Sequence, residues 1–504
     1  MRPIQNRSGV RIKAPEAIAA QTFNNSGYAN HGASALKKAL VGWLAGGGSH
    51  KEDIEDNIEI LRERCRDLYM GSAIAAAAIK TMRTNVVGYG LTLKSTLDRE
   101  VLGLEEKAAA ILERKIEREF ALWADSTECD LMRLDNFKEL QQLSYLNWLL
   151  SGDVIATLPR TKRINMPYDL RINLIEADRL CNPGNEVINP KITAGVEMND
   201  VGEVVAYHIA KHHPLSFDYV NPEWVRVEAF GKKTGRRNVL HLMSRERIGQ
   251  VRGVPELAKV IEPIKQLTRY SEAEITAAVV NAVYAIFIEK EQANSDGVPL
   301  GEVVADDMQV DAGDEKSIEV APGAIIDLAP GEKANMVTPG RPNSNFGDFV
   351  KAVLQQIGAA LEIPLEVLLK AFNSNYSASR GALLEFWKFV AMHRSWLVAD
   401  FCQPIYEEFL AEAVAKNRIS APGFFSNPIY RKAWCRAVWY GPTNGQLNPI
   451  QEVTAAIKKV ENGFASRSQM AQELSGTNYF DNVTQLKIEN EQLKGANEIG
   501  TTGN

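Results

Sequence analysis

Residues 346–369 read FGDFVKAVLQQIGAALEIPLEVLL, and residues 372–389 read FNSNYSASRGALLEFWKF. Phe346, Phe349, Val350, Val353, Leu354, Ile357 and Leu361 recur at spacings of three and four. They predict a helix over 344–362 with one apolar stripe. Asp348, Lys351, Gln355 and Glu362 fall off that stripe. Pro364 disfavours helix at Ile363, so the helix should stop there. Asn373-Ser374-Asn375-Tyr376-Ser377 is polar and predicts a short loop. A long aromatic helix should follow over about 377–416, interrupted or bent at Pro404. Upstream, Gln250-Val251-Arg252-Gly253-Val254-Pro255 precedes another helical stretch, 256–288, which Pro263 should kink or start. From Ile264 to Ile288 that helix would be about 37 Å long at ~1.5 Å per residue.

Between these two helices the chain changes character. Residues 289–340 carry 12 acids and three lysines, a net of −9 against −6 for the whole chain. The remainder is therefore net positive. Ser317–Val320 and Ala324–Leu328 read as short strands in this acidic insert. Ahead of residue 256, helices are predicted over 52–84, 107–125 and 136–151. Strands follow at 153–159, 171–176, 204–211, 224–229 and 238–243, with a basic turn at Gly231–Arg237. After the Trp-rich stretch 430–440, helices are expected over 449–460, 466–473 and 480–494, with Gly463 ending the first. The fold class is α+β, mainly helical. Residues 1–50, with Arg2, Arg7, Arg11 and Lys13, read as a flexible arm.

Several chemistries find no support. No Gly-x-x-x-x-Gly-Lys-Ser/Thr occurs, and Gly46-Gly47-Gly48-Ser49-His50-Lys51 lacks its spacing. No Gly-x-Ser-x-Gly elbow occurs either. The five cysteines, at 65, 129, 181, 402 and 435, contain no CxxC, which suggests neither a disulfide framework nor a zinc site. His208 and His212 sit on or beside a predicted strand, where four residues span ~13 Å, too far to share an ion. Glu176 and Asp178 would share a strand face but have no further ligands, and read as structural. Trp434 and Trp439 read as core. The apolar run Ala273–Ile288 contains Glu274 and Asn281 and falls short of the ~20 residues that cross a bilayer.

Arg252-Gly253-Val254-Pro255 before one long helix, and Asn375, Tyr376, Ser377, Arg380, Leu383, Leu384, Glu385, Phe386 and Trp387 on another, resemble the portal proteins of lambda-type tailed phages. Leu61–Leu68, Asn85–Gly90 and Ile175–Leu180 extend the resemblance in order along the chain, from about residue 55 to about residue 490. It implies a portal-type subunit with a wing over 51–255, stem helices over 256–288 and 343–362, and a clip over 289–340. A tunnel loop over 363–377, a long wing helix and return over 378–445, and a small crown over 446–504 complete it. It further implies a homo-oligomeric ring of about twelve subunits at a capsid vertex, assembled in the host cytoplasm and kept in the virion. That ring would pass double-stranded DNA without sequence specificity. The implied partners are the large terminase subunit, a head–tail connector protein and a major capsid or scaffold protein. No enzyme activity, cofactor, metal or membrane is implied. A head or connector protein without a DNA channel is the alternative. The channel positions would be Lys351, Gln355, Lys370, Asn373, Ser374, Asn375 and Tyr376. Asp306, Asp307, Asp311, Asp314 and Glu315 would face terminase and connector.

Overall fold

The computed structural model describes residues 46–185, 191–217, 223–282, 286–290, 332–336, 346–372, 376–443, 449–477 and 479–501, with a few isolated positions before 46. Met1–Ser49 and His50–Asn504 are separate units. Of the former, turns close where Leu40 and Trp43 N–H bond to the Lys37 and Leu40 carbonyls, at 2.9 and 3.2 Å.

Helices α1 (Ile58–Gly71) and α2 (Ala73–Val86) replace the single helix expected over 52–84. Ser72 separates them: its backbone is extended and its hydroxyl accepts from Ala75 N–H, capping α2. Strand β1 (Thr92–Ser95) and helices α3 (Glu106–Ala124) and α4 (Phe137–Ser151) follow. A reciprocal capping box starts α4. Asn136 accepts from Lys138 and Glu139 N–H, and the Glu139 carboxylate accepts Asn136 N–H at 2.8 Å.

The β-rich part holds β2 (Asp153–Thr157), β3 (Asn173–Ile175), β4 (Ile192–Thr193), β5 (Val196–Met198), β6 (Val204–Ala210), β7 (Trp224–Glu228) and β8 (Val239–Met243). They form two antiparallel sheets, ordered β3-β2-β8 and β4-β5-β6-β7. Ile155, Ile175, Leu180, Val196, Tyr207, Ile209 and Val251 pack a small core of their own. The Glu176/Asp178 expectation needs correcting. The strand stops at Ile175 and residues 177–179 form a 3-10 turn, so the two acids do not share a strand face.

Next come α5 (Ile261–Ala282), β9 (Ile286–Lys290), β10 (Glu332–Met336), α6 (Phe346–Ala360), α7 (Leu365–Leu369) and α8 (Tyr376–Leu397). The helix expected to reach Ile288 therefore ends at Ala282. Its last residues, rich in β-branched and aromatic side chains, pair as strand instead, Ile286 opposite Met336 and Lys290 opposite Glu332. Pro263 lies in the first turn of α5, where its missing N–H costs nothing. The strands expected at 317–320 and 324–328 lie outside the described residues.

A π-helical turn, Val398–Cys402, separates α8 from α9 (Gln403–Ala415). Pro404 stands just beyond it, and the wider turn accommodates a residue that cannot donate into the helical ladder. Helix α10 (Pro428–Trp434), strand β11 (Ala437–Tyr440), and helices α11 (Pro449–Glu461), α12 (Arg467–Ser475) and α13 (Tyr479–Thr501) complete the chain. Gly463, at φ +73°, terminates α11.

One apolar core joins residues far apart in sequence. Phe120 of α3 meets Phe137, Tyr406, Phe409 and Trp439 with ring centroids 5.2–5.9 Å apart. Strand β11 pairs antiparallel with β1, Thr92 opposite Tyr440. The same core reaches Leu257, Ile264 and Leu267 at the base of α5 and Leu354, Ile357 and Leu361 of α6. The two long helices are thus rooted in the body that α1–α4, α8 and α9 build. Trp434 and Trp439 are both core residues.

Candidate functional site

Helices α5 and α6 leave the core side by side. Tyr270 of α5 packs on Phe346 and Phe349 of α6, with centroids 5.5 and 5.1 Å apart. Toward their far ends apolar side chains become exposed: Ile275, Val279 and Phe349 are each more than half accessible. Beyond those ends β9 and β10 pair, so the chain between them leaves and returns through one two-stranded base. Leu354, Ile357 and Gly358 face inward on α6. Lys351 and Gln355, four residues apart, occupy the exposed face together.

Helix α6 stops in a Schellman-type end. Ile363 N–H bonds back to the Gly358 carbonyl at 2.8 Å, with Glu362 in the left-handed region at φ +55°. A Cβ on Gly358 would sit 2.5 Å from the Ile363 carbonyl oxygen, so the close approach requires glycine. Helix α7 ends at Lys370, also left-handed at φ +54°, and exposed. Of the proposed channel positions, Lys351 and Gln355 share a face and Lys370 lies after the next helix. Asn373, Ser374 and Asn375 lie outside the described residues, and Tyr376 opens α8. The clip positions Asp306, Asp307, Asp311, Asp314 and Glu315 also lie outside them.

The most developed polar constellation is one the sequence did not disclose. Asp153, at the first position of β2, is fully buried and receives Arg62 Nη2 at 3.0 Å and Arg252 Nε at 2.6 Å. It also pairs with His241 Nε2 at 3.2 Å and accepts Gly253 N–H at 3.2 Å. All five Arg252 donors are used. Beyond Asp153 they reach the Ala177, Leu180 and Ala194 carbonyls at 2.6–2.7 Å. Arg62 also donates to the Ser151 carbonyl at 2.8 Å. Burial alone would raise the Asp153 carboxyl, but Arg252 and Arg62 hold it well below the usual carboxylate range. Burial, then repulsion from Arg252, lowers the Arg62 guanidinium to about 10. Next to it Arg66 pairs with Asp178, which gives that acid the structural role expected of it.

This network explains Gln250–Pro255 physically. The Gln250 amide accepts from Glu246 and Arg247 N–H and donates to the Arg252 carbonyl at 2.6 Å. Val251 N–H is taken by Glu55 at 3.0 Å. A Cβ on Gly253 would fall 1.9 Å from the Gly152 oxygen, so only glycine lets the two strands of chain touch. Pro255 then caps the 3-10 turn that leads into α5. The motif anchors the base of the first long helix to the β-rich part. The available signal was a charge at Asp153 opening the apolar run Val154-Ile155-Ala156.

His208, weighed above as a metal ligand, pairs with Glu197 at 2.8 Å, and that acid also takes Arg226 at 2.7 Å. Among the described residues no helix is long and apolar enough to cross a membrane.

Residues 37–394 match the family model for phage portal proteins of the lambda family. Portal protein B of Escherichia phage lambda is 22% identical over 427 residues, covering 80% of this chain and 78% of the relative. The portal protein of Escherichia phage N15 is 22% identical, covering 85% and 83%. Among solved structures, a chain from the neck of a native gene transfer agent particle aligns over 81% of this chain and 92% of its own. It is 14% identical, with a TM-score of 0.43. The family model spans more than two thirds of the sequence, and both motif segments fall within it: the chain belongs to the lambda family of phage portal proteins.

Proposed function

We propose that this chain is the repeating subunit of a portal ring at one capsid vertex, forming the channel for packaging and ejection of double-stranded DNA. The observation that carries the reading is the pair α5 and α6. Both are rooted in one core, they contact through Tyr270 and Phe346, and they are joined at their far end by the β9–β10 base. Such a pair, repeated around an axis by a head-to-tail interface whose rotation closes, makes a wall.

In this reading 51–255 and 378–445 form the wing, α5 and α6 the stem, 289–340 the clip, 363–377 the tunnel loop and 446–504 a small crown. Duplex DNA carries about one negative charge per 1.7 Å of axis. The clip's net of −9 repels it and keeps it centred, while Lys351 and Lys370 supply positive contacts. Asn373, Ser374 and Asn375 offer hydrogen bonds to phosphate without base readout. The clip, with Asp306, Asp307, Asp311, Asp314 and Glu315, docks the large terminase subunit during packaging and the head–tail connector afterwards. The wing meets the major capsid or scaffold protein, with assembly in the host cytoplasm. The protein itself is structural rather than catalytic, and purified protein should hydrolyse no ATP.

Native mass measurement and electron microscopy of the purified chain test the core of this. Closed rings of about twelve subunits with an open axial hole are expected. A monomer or closed dimer across salt and concentration overturns it.

A further inference from the structure

Glu408 of α9 is buried, and three arginines from three separate elements converge on its carboxylate. Arg160, in the loop after β2, donates from Nη2 to Oε2 at 3.2 Å. Arg431, on α10, donates to Oε1 at 3.3 Å. Arg236, in the basic turn between β7 and β8, stands 3.4 Å from Oε2. One carboxylate offers a single charge and about four lone-pair sites, whereas each guanidinium brings one charge and about five donors. Two positive charges and most of the donors are therefore unmatched by Glu408. Arg431 further stacks over Phe424 at 5.8 Å, which fixes its plane. Burial lowers the Arg236 guanidinium, and Arg160 and Arg431 push the same way against Glu408.

Of the neighbouring acids, Glu407 accepts from the Gln403 amide at 3.3 Å, and Asp400 is influenced electrostatically by Arg237, His241 and Arg245. Lys232, on the same turn as Arg236, is paired with Glu228 at 2.7 Å. Lys233 on that turn and Lys432 beside Arg431 are exposed, without an ion-pair partner among the described residues. The surface around Glu408 thus presents forked, oriented, under-satisfied guanidinium groups.

We propose that Arg160, Arg236 and Arg431 form a docking surface for the phosphate backbone of duplex DNA that lies outside the channel. The proposal rests on the reading that this protein handles DNA, but not on the channel assignment. Guanidinium forks match phosphate oxygens two at a time, and backbone binding needs charge and donors rather than base contacts. Glu408 holds the three side chains in place while no phosphate is bound. It also competes with phosphate, which keeps the contact weak enough for DNA to leave.

The test uses the assembled full chain and a fluorescent, covalently closed circular duplex. A closed circle has no end to enter a closed ring, so the channel contributes nothing to its binding. If the chain forms no ring, the same measurement still reads this surface. Arg431→Ala and Arg160→Ala should each weaken binding about 3- to 10-fold and lower the salt slope of log K by about 1. Glu408→Gln should strengthen binding several-fold, a direction that misfolding cannot imitate. Lys107→Glu, exposed on α3, should leave it unchanged. The proposal is overturned if Glu408→Gln leaves affinity for the circle unchanged or lowers it. Inorganic phosphate should displace the circle beyond its ionic-strength effect, and the proposal is equally overturned if a polyglutamate peptide binds more tightly than DNA.

Discussion

Asp153 is where one side chain has the largest leverage. Three basic groups and a backbone N–H close on a carboxylate with no access to water. Removing one partner of a buried ion pair leaves the others uncompensated, typically at about 3–5 kcal/mol. Asp153→Asn should therefore lower stability by about that much in chemical denaturation, since two buried guanidiniums lose their counter-charge. Because this carboxyl is depressed on folding, its contribution persists above its unfolded value of about 3.9 and is lost only in strong acid. A second buried group works in a milder range. His393 on α8 is held by Tyr145 Oη at 3.0 Å, stacks on Trp148 at 5.5 Å, and is lowered by burial to about 4. A lowered histidine binds protons more readily unfolded than folded, so it costs stability progressively as pH falls from about 6.5 toward 4. His393→Phe should shrink the stability difference between pH 7 and pH 5 by about 2 kcal/mol. An unchanged pH slope in urea titrations would show that His393 takes up its proton in the fold as readily as in the unfolded chain.

Elements repeat the lesson in backbone terms. Helix α6 ends with Glu362 in the left-handed region, a conformation that costs a non-glycine residue about 1 kcal/mol. Glu362 is exposed, so Glu362→Gly should raise the denaturation midpoint, gaining up to about 1 kcal/mol; a loss would mean the side chain holds the turn. Gly358→Ala should act oppositely, because its Cβ would strike the Ile363 carbonyl and displace the entry to Pro364. The elements themselves were legible where periodicity was strong. The apolar stripe of α6, the strands β2, β3 and β6–β8, and the helices α3 and α4 all fall within a few residues of their sequence reading. What periodicity could not report was pairing. β1 joins β11 across more than 340 residues, and β9 turns what looked like helix into strand because residues 332–336 lie alongside. Arg252 was visible only as part of its motif, and the meeting of Asp153, Arg62 and Arg252 was not visible at all, since convergence on one buried point is a property of the fold. Lys351 and Gln355 were legible as a shared helical face from spacing alone.

At the scale of the whole molecule, the β9–β10 register decides how the acidic insert can be removed. Lys290 stands opposite Glu332, so a two-residue Asn-Gly turn joining them would close the base as a hairpin. Deleting 291–331 this way leaves both α5 and α6, their contact through Tyr270 and the core at their bases unaltered. The acidic residues lost include Asp306, Asp307, Asp311, Asp314 and Glu315. Ring assembly depends, in the proposed reading, on the wing and stem, whereas terminase docking depends on the clip. The shortened chain should therefore form rings of unchanged subunit number by native mass measurement, and those rings should fail to retain the large terminase subunit in a pull-down. Rings that retain it as well as the full chain would place the docking surface on the body instead. Loss of rings altogether would assign the insert to subunit contact, and with it the −9 charge balance to a role between neighbours rather than toward DNA or motor.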